Sequence, residues 1–408
     1  MSLESCLARI DERDAEIHAW TWVDRSARSS AGLLEGVVVG VKDVIDVAAM
    51  PTAYGSAMYA DNVAKADAAA VARLRAAGAV ILGKTVTAEF ATYHPGPTVN
   101  PRKAGHTPGG SSSGSAAAVA DGQADLALGT QTAGSMIRPA SFCGTLGFKP
   151  SFGRYPLGGV LETAPSLDTL GVFARDLDLL VLADGVLSAE HKPLPPTRDP
   201  VIGVCRSPAW READGEMQAK FLAYADRLAS MGLSLRDVDL PSPLERLADA
   251  QALIHRREAW VKLGHLLHAH RDALSDELRS MLELGRAETD SNYNAALELQ
   301  AHCRSILPPL FEEVSLLLVP AAPGAAPQGL SATGNPAFQR IWTALGTPCL
   351  GFPFWWRDDG LPLGAQIIGP VGGDRQLLAD ARAIIGDQPF GRSNGGEFRV
   401  PRELKATL

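Results

Sequence analysis

The sequence lacks the features that mark several protein classes. Its 408 residues include only five cysteines, Cys6, Cys143, Cys205, Cys303 and Cys349, an odd number with no CxxC pair. That excludes a disulfide framework and points to free thiols in a reducing compartment. Basic residues are outnumbered 38 to 46 by acidic ones, a net charge of −8, which argues against nucleic acid or an anionic membrane as the main partner. No stretch reaches the roughly 18 uninterrupted apolar residues of a membrane helix. The opening segment carries charges throughout and has no apolar signal-peptide core. The expectation is a soluble, cytoplasmic chain. What is present is ordinary: 46% hydrophobic and 21% charged residues, a globular composition in a chain above the usual single-domain size.

Strand and helix signals alternate along the first half, which predicts an α/β layered fold. Val37–Val41 reads as a buried β-branched strand, and an Ala-rich helix runs around Asp67–Ala77, with Asp67 as its N-cap and Gly78 as its stop. Ala79–Leu82 is a second strand. Thr92–Gly114 is a long Pro/Gly-rich stretch, functional if ordered. It leads into a small-residue helix at Ser115–Ala120 and a short strand at Leu126–Leu128. Ser188–Pro200 reads as a Pro-rich surface connection, Val201–Cys205 as a strand, Met217–Leu228 as an amphipathic helix, and 247–307 as helical and polar. Leu316–Val319 and Ala365–Ile368 are late strands. One domain over 1–408 is expected, with its core at about 33–378 and a more helical lobe at about 205–310.

Some apparent motifs fail on context. Gly78–Thr85 matches the phosphate-loop pattern GxxxxGK(S/T), but its middle positions are an apolar strand whose amides belong to a sheet ladder. Gly110–Gly114 matches the GxSxG elbow, yet no strand precedes it. His265, His268 and His270 lack the spacing and carboxylate of a metal site and read as solvated helix histidines. Cys143 has no cysteine-enzyme signature around it and reads as a small buried residue. No metal and no cofactor is expected.

Gly129–Ser135 (GTQTAGS) follows a strand and precedes a short helix ending near Pro139. Such a turn can aim successive backbone N–H groups at one point, and a serine at its end sits beside that anion nest. No histidine is well placed as its base. Lys42 follows the strand Val37–Val41, and a lysine there can serve if burial strips its proton, a shift of about 3 pK units or roughly 4 kcal/mol.

The run Gly109–Val119, the turn Gly129–Ser135 and Gly40–Asp43 upstream resemble the amidase signature family. Gly96–Pro101, Ser166–Gly171 and Gly360–Pro370 support the resemblance, which spans about Leu33 to Leu378. It implies an amidase-signature fold: a large mixed β-sheet core covered by helices on both faces. It also implies a Ser–cis-Ser–Lys triad with Ser135 as nucleophile, Ser111 as the bridging serine after a cis peptide, and Lys42 as base. The spacing, 135 − 111 = 24, agrees with the family. N–H groups of Thr132, Ala133, Gly134 and Ser135 would meet the oxyanion. Most relatives carry Gly where this chain has Ala133, and a left-handed backbone there would cost about 1 kcal/mol or more.

The branch similar to malonamidase shares the Gly-Thr-Gln-Thr turn and an arginine three residues after the nucleophile, here Arg138. In that reading Arg138 shares a helix face with Ser135 and grips a substrate carboxylate with two parallel hydrogen bonds. Thr130 is a further contact to the triad or the substrate. The implied activity is amide C–N hydrolysis through an acyl-enzyme on a small-molecule amide bearing a carboxylate, with a homodimer left open. The alternatives are a protein resembling the ammonia-supplying amidase component of the glutamyl-tRNA amidotransferase, which needs a partner chain, and a catalytically silent binding protein.

Overall fold

The structure, a computed structural model, describes residues 1–197 and 199–386. The end of the expected domain, 387–408, lies outside the described residues. Helix α1 (Leu3–Ile17) is capped by the Ser2 hydroxyl and leads into strand β1 (Trp20–Val23). Strand β2 (Val38–Lys42) is buried at every position, and helix α2 (Ala69–Ala76) carries the chain to β3 (Val80–Thr85). Then come α3 (Ser113–Asp121), β4 (Leu126–Gln131), α4 (Ile137–Cys143), β5 (Leu146–Lys149), β6 (Thr169–Ala174) and α5 (Leu177–Ser188). Strand β7 (Val201–Cys205), α6 (Gly215–Ser230) and β8 (Ser234–Val238) follow. A helical stretch holds α7 (Leu247–Ala269), α8 (Asp276–Ala287), α9 (Asp290–Ile306) and α10 (Leu310–Glu313). After it come β9 (Leu316–Pro320), α11 (Arg340–Leu345), β10 (Cys349–Trp356), β11 (Pro362–Ile368) and α12 (Asp374–Ile385).

The described strands join one 11-stranded sheet in the order β1-β3-β2-β4-β6-β5-β10-β11-β9-β7-β8. It is mixed: β2 runs parallel to β3 and β4, and β7 parallel to β8 and β9, while β4–β6–β5–β10–β11–β9 pair antiparallel. Successive strand residues point to opposite faces, and here they feed separate cores. Leu126, Leu128 and Val172 join the main apolar cluster, whereas Ala127 and Phe173 pack with α3 and with Met136, Ala140 and Cys143 of the α4 segment. Both faces are therefore covered, as an α/β layered fold requires.

Several sequence expectations shift. Asp67 does not cap α2; Ala68 holds that position, and the Asp67 carboxylate instead accepts from the Ala48 N–H and pairs with Arg75. The strand expected at Leu126–Leu128 runs on to Gln131, so the turn starts three residues later. Helix α4 passes through Pro139 to Cys143, because a proline in a first turn has no N–H to lose from the helix ladder. In the span read as a helical lobe, β7, α6 and β8 form the far end of the sheet. Gly78–Thr85 is sheet, not a phosphate loop: Val80–Thr85 is a fully buried strand and Lys84 pairs with Asp43 at 2.9 Å. Among the described residues no helix is long and apolar enough to cross a membrane, and no His/Cys/Asp/Glu group suits a metal.

Candidate active site

Strand β2 ends in Lys42, walled by β3 on one side and β4 on the other. Its side chain is 0% exposed. Nζ lies 2.8 Å from Ser111 Oγ and 2.7 Å from Thr130 Oγ1, both hydroxyls, and no carboxylate among the described residues pairs with it. Burial pulls its pKa from 10.5 down to about 7, with the nearby Asp168 carboxylate pulling the other way. An amine in that range is substantially uncharged at neutral pH.

Ser111 reaches this lysine from the loop ahead of α3. The Gly110–Ser111 peptide is cis. Gly109 has φ +81, and a Cβ there would come within 2.9 Å of Pro139 Cα, so the loop lies directly against α4. Ser112 ties the loop to β4: its Oγ lies 3.2 Å from the Thr130 carbonyl oxygen and 3.3 Å from the Thr130 nitrogen.

Residues 132–136 form the turn between β4 and α4. The Thr132, Ala133, Gly134 and Ser135 N–H groups have no acceptor among the described residues, although all of these residues are buried. Each of the first three carbonyls is taken: Thr132 by the Gln251 side-chain amide at 2.8 Å, Ala133 by Thr343 Oγ1 at 2.8 Å, Gly134 by the Arg138 N–H at 3.1 Å. Gln131 Oε1 accepts the next N–H groups, Met136 at 2.9 Å and Ile137 at 3.1 Å, and so caps α4. Free donors on one side of a turn and satisfied acceptors on the other make an anion nest. Ala133 is absent from the residues with positive φ, so alanine costs nothing there and the expected penalty does not arise. A Cβ on Gly134 would sit 2.7 Å from Gln339 Oε1, which leaves room only for glycine.

Ser135 is 8% exposed, and its hydroxyl makes no hydrogen bond to a described residue. It precedes α4 rather than sharing a helix face with Arg138. Arg138, in the first turn of α4, is buried and largely committed to the protein. Its Nε donates to the Thr333 carbonyl at 2.7 Å, and its Nη2 to the Gly110 carbonyl at 2.7 Å and Thr333 Oγ1 at 3.0 Å. Only Nη1 is left without a partner among the described residues. The expected two-nitrogen grip on a carboxylate is thus unavailable, since a guanidinium edge already spent on carbonyls cannot be reused.

Other residues around the turn carry no local sequence signal. Asp168 accepts from Thr132 Oγ1, from the Thr163 N–H at 2.7 Å and from the Ala164 N–H at 2.9 Å; burial raises its pKa to about 6. It lies in the Ser166–Gly171 segment, whose sequence supports the family resemblance without disclosing this contact. Gln251 and His255 come from α7, and Arg340 and Thr343 from α11, more than a hundred residues beyond the turn. Arg340 Nη1 donates to Gln251 Oε1 at 2.7 Å. His255 lies against the Tyr93 ring with neither ring nitrogen partnered, and burial, then Arg340, pushes its pKa down to about 3. Cys143 donates to the Pro108 carbonyl, and burial raises its pKa to about 12, which suits a packing residue. His265, His268 and His270 are exposed on or just after α7, His268 Nδ1 lying 3.0 Å from the Gly264 carbonyl oxygen.

Comparison with known proteins agrees with this geometry. The family described as Amidase matches residues 3–378. The A chain of the glutamyl-tRNA(Gln) amidotransferase of Thermus thermophilus is 33% identical, covering 93% of this chain and 92% of its own. Its counterpart from a Synechococcus species is 31% identical, covering 86% and 84%. A crystal structure of an amidase superposes with TM-score 0.84 at 30% identity, covering 92% of this chain and 93% of that one. The peptide amidase of Stenotrophomonas maltophilia shares the fold, with TM-score 0.77 at 24% identity over 95% and 94% of the two chains. On this sequence coverage the chain belongs to the amidase family.

Proposed function

We propose that this chain cleaves the C–N bond of a small carboxylate-bearing amide through an acyl-enzyme on Ser135. The observation that carries the reading is the buried Lys42 amine, hydrogen-bonded to the Ser111 and Thr130 hydroxyls. A neutral amine can accept from Ser111 with its lone pair while donating to Thr130. Ser135 Oγ attacks the amide carbonyl and its proton passes to Ser111 as the Ser111 proton passes to Lys42. The tetrahedral oxyanion takes the N–H groups of the 132–135 turn. The proton returns from Lys42 to the amine, the C–N bond breaks, and ammonia leaves. Water then attacks the acyl-enzyme along the same relay and releases the carboxylic acid.

Arg138 Nη1, buried and unpartnered among the described residues, supports a carboxylate on the substrate. A cation held out of water is stabilised by an anion, and this nitrogen has two free hydrogens for one carboxylate oxygen or two. Malonamate is the type of substrate that fits. The relatives favour a second reading, the ammonia-supplying component of an amidotransferase, through 33% identity across more than nine-tenths of both chains. Both readings share amide cleavage with ammonia release and differ in whether the isolated chain suffices.

The test is ammonia release by the purified chain from malonamate, malonamide, glutamine, a fatty amide and an aryl amide, with Arg138→Ala alongside. Release from malonamate that falls selectively in Arg138→Ala supports the first reading. An unchanged preference for acidic amides in that variant rejects the carboxylate contact. Release from glutamine that demands a co-purifying protein supports the second.

A further inference from the structure

The turn that carries the free N–H groups does not hold its own shape; two distant helices hold it by its carbonyls. We propose that Gln251 of α7 and Thr343 of α11 are positioning residues that aim the Ala133 and Gly134 N–H groups at the reacting carbonyl. The inference rests on the reading of Ser135 as nucleophile and adds the device that orients the oxyanion site.

In a trans peptide the C=O of one residue and the N–H of the next point in opposite directions. Fixing a carbonyl therefore fixes the following N–H. Gln251 Nε2 holds the Thr132 carbonyl at 2.8 Å, which turns the Ala133 N–H the other way. Thr343 Oγ1 holds the Ala133 carbonyl at 2.8 Å, which turns the Gly134 N–H the other way. The Ala133 and Gly134 N–H groups are left without an acceptor among the described residues. A free peptide in a turn can flip; these two cannot without breaking a buried hydrogen bond.

Both tethers are themselves anchored. Arg340 donates to Gln251 Oε1 at 2.7 Å, which settles the amide so that its nitrogen faces Thr132. Gln131 Nε2 donates to Thr343 Oγ1 at 3.0 Å, so the hydroxyl hydrogen is free to point at Ala133. The other end of the Gln131 amide caps α4 at Met136 and Ile137. Gln251 and Thr343 thus grip the turn from the side opposite the substrate. Donors fixed before reaction need no reorganisation when charge develops, which is the source of oxyanion stabilisation.

The test is the second-order rate of Ser135 labelling by a fluorophosphonate, whose phosphoryl oxygen gains negative charge as the serine attacks. Thr343→Val and Gln251→Met, each checked for thermal unfolding, should slow labelling per folded site about tenfold, less than deleting an oxyanion donor outright. On the amide that releases ammonia, kcat should fall by the same factor with KM unchanged. Thr343→Ser, which keeps the hydroxyl, should restore both. A merely structural role would lower the folded fraction and leave the rate per folded site untouched. Labelling that stays within about twofold of wild type in both Thr343→Val and Gln251→Met overturns the inference. Wild-type protein that takes no label at Ser135 overturns the nucleophile reading and this inference with it, so the two failures are separable.

Discussion

Two lysines occupy neighbouring strands almost side by side. Lys84 of β3 is paired in register with Val41, and Lys42 of β2 with Thr85. Both are 0% exposed. Because strand residues alternate faces, one step of sequence sends them into different surroundings. Lys84 meets the Asp43 carboxylate at 2.9 Å, Thr52 Oγ1 at 2.8 Å and the Pro51 carbonyl at 3.0 Å. Burial lowers its pKa, but Asp43 opposes that and sustains the charged pair. Lys42 meets two hydroxyls and pairs with no described carboxylate, so burial acts on it with only the more distant Asp168 in opposition. Equal burial with different partners gives a structural cation in one case and a base in the other. Burial alone does not make a catalytic lysine; the withheld counter-ion does.

Removing each amine should separate the two most sharply. Lys42→Ala should cut kcat by about 10²–10⁴-fold, the range of a lost general base, with the unfolding temperature nearly unchanged. Lys84→Met should do the reverse: unfolding free energy falls by about 3–5 kcal/mol because Asp43 is left buried and unpaired, while kcat per folded site holds. A Lys84→Met/Asp43→Leu pair should recover much of that stability, as apolar replacement of a buried pair often does. Denaturant titration and active-site counting measure both. If Lys84→Met abolishes turnover in folded protein, the division of roles is wrong.

The pH profile sharpens the contrast. A base must be unprotonated, so kcat/KM should rise with pH through a single midpoint near 7, the value burial imposes on Lys42. Asp168 raises that pKa, so Asp168→Asn should move the midpoint to lower pH. A midpoint that stays put under Asp168→Asn would deny the coupling. The smallest effects belong to the histidines at the end of α7: replacing His265, His268 and His270 together should leave kcat within about twofold, since solvated side chains contribute little.

Much of the site is legible in the sequence because it is local. Lys42 closes an apolar run, Ser111 follows paired glycines, and Ser135 ends a Gly/Thr turn, each pattern carried within a few residues. The neighbours on the far side are not legible. Gln251, His255, Arg340 and Thr343 sit within ordinary helical sequence, where a glutamine or threonine has no mark of what it will face. Arg138 shows the limit from the other direction: its position is readable, but its Nε and Nη2 bonds to Thr333 and Gly110 depend in part on a loop almost two hundred residues away. Asp67 is an adequate cap by type and loses that place to packing, its carboxylate drawn to the Ala48 N–H and Arg75.

By itself the sequence determined the alternating strands and helices, the small-residue turns and the identity of the candidate hydroxyls and amine, because apolar period and backbone freedom are properties of short segments. Only the tertiary structure decided which buried lysine keeps a counter-ion, which N–H groups are left unpaired, and which nitrogen of Arg138 is free. Those depend on groups brought together from distant parts of the chain, and electrostatics and hydrogen-bond satisfaction respond to distance in space.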